Sequence, residues 1–172
     1  FAVFLLTGAF VFQYRSSHPV QTTTAGRLTA ILYNEQNIFW KKTWEGLREE
    51  AAAEGFDLSE YQVGNMESIA DYLEIAILSD TDGIIFDPST IHDQESVQLI
   101  SEASDKGICL VALDAGYEDV PVIYIGIDNI SSSQKIAEYI HTQVSGEKIL
   151  LLNREINYSS NLKIRQDTIW SA

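Results

Sequence analysis

Short apolar runs alternate along the chain with longer stretches in which apolar side chains recur every three or four positions. The runs Leu28 to Tyr33, Leu58 to Val63, Gly83 to Phe86, Ile108 to Leu113, Val122 to Ile127 and Lys148 to Leu152 read as strands, several of them apolar on both faces. Strands covered on both faces belong to parallel sheets held between layers of helix. Trp40, Trp44, Leu47 and Ala51 mark one face of a first helix, and Gly55 is placed to end it. Ile69, Leu73, Ala76 and Ile77 mark a second helix. Val97, Ile100 and Ala103 mark a third, with Gly107 as the stop, and Ile136, Ala137, Ile140 and Val144 a fourth. The alternation predicts an α/β fold built on a doubly wound, mostly parallel sheet.

The first twelve residues, FAVFLLTGAFVF, depart from this pattern: they carry no charge and only Thr7 and Gly8 interrupt the apolar run. A helix in a soluble core would show a polar face, and a membrane span needs about 20 residues. Residues 1–15 are therefore expected to be what remains of a signal peptide or membrane anchor, with a buried N-terminal strand or helix as the alternative. Residues 16–26 are small and polar, as a linker would be.

Charge and motifs narrow the chemistry. Among 172 residues, 11 Lys and Arg face 25 Asp and Glu, a net charge of −14 that is the wrong sign for nucleic acid. Cys109, the one cysteine, lies in the apolar run Ile108 to Val111 and is expected to be a small buried hydrophobe. No GxGxxG follows the first strand, and no GxxxxGK[ST], GxSxG or HExxH is present, so nucleotide cofactors and the commoner hydrolase chemistries are disfavoured. His18, His92 and His141 are scattered, and Asp80 to Gly83 reads as a turn, since no downstream Glu completes a calcium loop.

In open α/β sheets, ligands bind beyond the carboxyl ends of the strands. The residues following the strands are Asn34, Asp87, Asp114, Asp128 and Asn153, which make an acceptor-rich rim suited to a neutral ligand with many hydroxyls. Each of them is equally an ordinary turn or cap residue. Phe39 and Trp40 open the first helix at this edge, where one can turn to the core while the other offers its face to a pyranose; the spacing alone fits equally well with both in the core.

Several motifs, in this order, resemble the type I periplasmic sugar-binding proteins, the ribose- and galactose-binding group whose fold is shared by the effector domains of LacI-type repressors. They are Asn37-Ile38-Phe39-Trp40, then Trp44-Glu45-Gly46 with Ala51 to Gly55, Thr81 to Pro88, Gly107 to Asp114, Ile125 to Asn129, and Ser159-Ser160 leading to Arg165. The sequence departs from the family pattern at Ile38 and Cys109, where proline is usual, at Thr168, where glycine is usual, and at Ala115, where an arginine often clamps the sugar.

The resemblance implies a two-lobed clamp. Residues 27–145 would form the N-terminal lobe with the hinge crossing at Asp128 and Asn129, and residues 146–172 the incomplete beginning of the C-terminal lobe. It implies that Asn37 bonds a sugar hydroxyl, that Phe39 and Trp40 stack, that Asp114 accepts from hydroxyls, and that Arg165 donates from the second lobe. The expected protein is extracytoplasmic, is not an enzyme and uses no cofactor. It would take a sugar or polyol to an ABC transporter permease or a sensor histidine kinase, and its N-terminal segment would meet the membrane. A LacI-type regulator is the alternative; it would need a helix-turn-helix before residue 27.

Overall fold

The computed structural model of the protein describes residues 24–64, 67–143 and 160–171. The strands are β1 (Gly26–Tyr33), β2 (Phe56–Val63), β3 (Gly83–Phe86), β4 (Cys109–Leu113) and β5 (Ile123–Ile125). They form one parallel sheet in the order β2-β1-β3-β4-β5. The helices are α1 (Ile38–Glu54), α2 (Ala70–Leu78), α3 (Gln94–Asp105), α4 (Asn129–Gln143) and α5 (Ser160–Ser171), with one 3-10 turn at Pro88–Thr90.

The order reverses direction between β1 and β3. Parallel crossovers are right-handed, so a connection running one way along the sheet places its helix on one face and a connection running the other way places it on the opposite face. The packing follows. Trp40 and Trp44 of α1 bury against Ala30, Leu32 and Ile85 on one face. On the other, Leu73, Ala76 and Ile77 of α2 and Ile100 and Ala103 of α3 bury against Ile31, Ile84, Phe86, Leu110 and Ala112. Each fully buried large apolar side chain contributes about 1.5–3 kcal/mol, so these two layers hold the sheet.

Local chemistry sets the ends of α1. Asn37 is its N-cap, its side-chain oxygen accepting the Phe39 N–H at 2.8 Å. Gly55 adopts φ +76°, which lets its N–H reach the carbonyls of Ala51 and Ala52. The Asp80 to Gly83 segment is a turn, as expected: Asp80 is left-handed at φ +51° and the Asp82 carboxylate accepts the Arg27 N–H at 2.7 Å.

Three expectations are corrected. Cys109 is exposed, not buried. It is the first residue of β4 and shares the α1 face with Val111 and Leu113, but only those two later residues of the strand pack against the Trp40 and Trp44 cluster. On α4, Ile136 is half exposed, and the buried face is Asn129, Ser133 and Ala137. This helix packs chiefly on α5, and a polar network fills that contact. On α3, Ser96 is fully buried with Ile100 and Ala103, because its hydroxyl and N–H bond the Asp93 cap, while Val97 is half-buried.

The expected strand Lys148 to Leu152, the segment 1–15, His18, Val144, Asn153 and Ser159 lie outside the described residues. Among the described residues, no helix is long and apolar enough to cross a membrane.

Candidate functional site

The C-terminal ends of β1, β3 and β4 carry the candidate site, on either side of the point where the strand order reverses. At the end of β1, Tyr33 lies 5.7 Å from Trp40, ring centre to ring centre, and its carbonyl accepts the Trp44 indole N–H at 2.8 Å. The start of α1 is thereby locked to the strand. Trp40 is 8% exposed and sits in the core; Phe39, edge-on to it at 4.9 Å, is 49% exposed. The structure thus divides the pair, giving Phe39 the free face and closing that of Trp40.

The acceptor rim is reduced in the same way. Asn34 accepts the Gln36 N–H and Asp128 the Ser131 N–H, both as local turn or cap bonds. The backbone bond holds the Asp128 carboxyl below the usual carboxylate range. Asp87 is 1% exposed, and Ser89 donates to it from its N–H at 2.9 Å and its hydroxyl at 2.6 Å. Burial pushes the Asp87 carboxyl up to about 6, against those bonds and with a small addition from the Asp114 charge. Tyr33 reaches the same turn, with its hydroxyl 3.4 Å from the Ser89 carbonyl.

Asp114 differs from the others. It is a non-glycine residue in the left-handed region, at φ +66°. Its N–H donates to the Ile125 carbonyl at 2.9 Å, and its own carbonyl accepts from Asn161 Nδ2 at 2.7 Å and from the Tyr124 hydroxyl at 3.1 Å. Its backbone is fixed on every side. Among the described residues no donor is bonded to its carboxylate. The neighbouring Ala115, where an arginine was looked for, is buried.

Arg165 lies on α5, and its Nε donates to Asn129 Oδ1 at 2.6 Å. Asn129 in turn donates to Asn161 Oδ1 at 3.0 Å. The Tyr124 hydroxyl is shifted up chiefly by burial and then by the Asp114 charge, with Arg165 pulling it down. The bonds of Tyr124 and Asn161 to the Asp114 carbonyl, and of Asn161 through Asn129 to Arg165, put Asp114, Arg165 and Tyr124 in one neighbourhood. The sequence reading did not single out Tyr33, Ser89, Tyr124 or Asn161. Only Asn161 left a trace, standing four residues before Arg165 and so on the same helical face. Among the described residues, no group of three or more His, Cys, Asp or Glu could hold a metal ion.

A parallel doubly wound sheet with polar groups at its reversal point is thus in place, and the sequence assigns it to a family. The chain belongs to the family of the periplasmic binding protein domain, whose model matches residues 29–172. No curated protein matches it. Among solved structures it is similar to GanP, a glucose-galactose binding protein from Geobacillus stearothermophilus, with 20% identity and a TM-score of 0.71 over 87% of this chain and 54% of that one. It is similar also to a carbohydrate transporter protein from Acidothermus cellulolyticus solved with myo-inositol (20% identity, TM-score 0.67, 85% and 51% covered). A third is a protein from Bacteroides fragilis assigned as a LacI transcriptional regulator (16% identity, TM-score 0.64, 85% and 54% covered). At these identities the likeness is one of fold, and the chain spans about half the length of the structures it matches.

Proposed function

We propose that this chain is part of an extracytoplasmic solute-binding protein that clamps a small neutral ligand, a sugar or polyol, and presents it to an ABC transporter permease or a sensor histidine kinase. The observation that carries the reading is an exposed aromatic face, Phe39, on the same sheet edge as a carboxylate, Asp114, whose backbone is held rigid. A pyranose needs both, an apolar surface for its C–H face and an acceptor for its hydroxyls. The roles then divide. Phe39 stacks while Trp40 supports it from the core. Asn37, whose oxygen already caps α1, offers its amide N–H groups. Asp114 accepts, and the terminal nitrogens of Arg165 donate from the far side.

In this reading Asp128 and Asn129 are the first hinge crossing. The packing of α4 on α5 supports starting the second lobe at that crossing rather than near residue 146. Closure of the two lobes desolvates the ligand and pairs its hydroxyls. The work is binding, not catalysis. Residues 1–15 would serve export or anchoring.

The likeness to the Bacteroides fragilis protein supports a second reading, the effector domain of a LacI-type regulator. The net charge of −14 weighs against it. A thermal-melt panel of D-allose, D-glucose, D-galactose and myo-inositol on the full-length protein tests the first reading. A ligand at 100 times its Kd stabilises by about 2.7 kcal/mol, a shift of roughly 5–10 °C at this size. Asp114→Ala should abolish the shift, and because φ +66° suits alanine less well than aspartate it should also lower the unliganded melting point by a few degrees. A variant that keeps the full shift removes Asp114 from the site, and binding of operator-like DNA by the full-length protein would favour the regulator.

A further inference from the structure

We infer that Asn161 is a positioning residue for the solute site, linking α5 to the turn that aims the Asp114 carboxylate. The inference rests on the solute-binding reading and adds a residue to it. A left-handed aspartate costs about 1–2 kcal/mol relative to ordinary backbone, and it persists only where its surroundings hold it. Here the holding groups come from both directions. The Ile125 carbonyl takes the Asp114 N–H from within the sheet. The Tyr124 hydroxyl reaches the Asp114 carbonyl from β5, where it also lies 3.0 Å from the Ile127 carbonyl. The shortest contact on the Asp114 carbonyl is the Asn161 amide, 47 residues away on α5.

The amide orientations follow from the two ends of the chain of bonds. A carbonyl can only accept, so Asn161 must turn its NH2 to Asp114. Its oxygen then faces Asn129, which must present an NH2, and the oxygen of Asn129 meets Arg165, a group that can only donate. Every link points the same way. Asn129 and Asn161 are 6% and 7% exposed, and each buried amide is satisfied only while the whole series stands. Movement of α5, and of Arg165 with it, is therefore felt at the backbone of Asp114.

Two variants of the full-length protein separate this role from a packing role. Asn161→Leu removes both bonds. Asn161→Asp keeps the acceptor for Asn129 and replaces the donor to Asp114 by a carboxylate oxygen that its carbonyl repels. Hydrogen exchange of the Asp114 amide, followed by NMR, should accelerate about tenfold in both, the loss of roughly one net hydrogen bond, while amides within α4 and α5 stay protected in Asn161→Asp. Affinity for whichever panel sugar the wild type binds should fall about tenfold in both. Unchanged Asp114 exchange in Asn161→Asp would overturn the inference, as would changed exchange with unchanged sugar affinity. A wild type that ignores every sugar, with exchange still accelerated in both variants, would instead overturn the solute reading and uphold the tether.

Discussion

Phe39 and Trp40 are adjacent in sequence, and adjacent positions on a helix differ by about 100° in direction. One turns into the layer under α1 and the other out to the sheet edge. Trp40→Ala should cost about 3–5 kcal/mol in a urea titration, the usual range for deleting a core aromatic. Phe39→Ala should cost less than about 1 kcal/mol and yet remove the thermal shift with sugar. Equal losses of stability from the two would mean that both are core. Asp87 makes a second prediction at this scale. Its folded pKa of about 6 lies above the unfolded value of about 3.9. Between those values the folded protein retains a proton that the unfolded chain has released, so this group's contribution is most favourable below about pH 4 and declines as pH rises through 6. Two pKa units correspond to about 3 kcal/mol. Asp87→Asn loses the charge, keeps Oδ1 as acceptor for the Ser89 N–H, and reverses the other contact, its NH2 donating to the Ser89 hydroxyl. It should be more stable than wild type at pH 7 by up to that amount and indistinguishable near pH 4, in urea titrations run side by side. A difference that does not change with pH would refute the assignment.

At the scale of elements, β5 is the exposed edge of the sheet: Ile123, Tyr124 and Ile125 are all exposed, and its outer side carries no strand among the described residues. Apolar edge strands invite pairing with another chain. In the 172-residue chain Ile125→Lys should lower light scattering on concentration and change stability by less than about 0.5 kcal/mol; unaltered scattering would show that self-association uses another surface. The strands and the first three helices could be read from sequence because a core excluding water imposes its period on whatever it covers. Reading failed where the cover was polar or thin. The buried face of α4 is Asn129, Ser133 and Ala137, a polar stripe that no apolar period reveals. Cys109 starts β4 ahead of the residues of that strand that pack under α1, so an apolar run overstates its burial. In the site, Asn37 and Asp114 could be placed at strand and helix ends by pattern alone. The division of Phe39 from Trp40 and the partners of Asp114 depend on contacts between segments far apart in sequence.

For the whole molecule, one sheet with its two helical layers is followed by α4 and α5, which pack on each other. A clamp needs two faces, and this chain spans about half the length of the structures it resembles. Calorimetry of the 172-residue chain with D-glucose or myo-inositol should therefore show no heat, and sub-micromolar binding would contradict the two-lobed mechanism. The three tryptophans occupy three different settings: Trp44 fully buried with its indole bonded to Tyr33, Trp40 nearly buried against Phe39, and Trp170 at 66% exposure on α5. The first two emit from an apolar environment and Trp170 from a wet one, so a water-soluble quencher such as acrylamide silences Trp170 first and leaves the sheet-side pair. A solute seated on Phe39 touches the ring that touches Trp40. The fold thus contains its own optical gauge, in which Trp170 tracks α5, Trp40 tracks whatever changes at Phe39, and Trp44 serves as the internal reference.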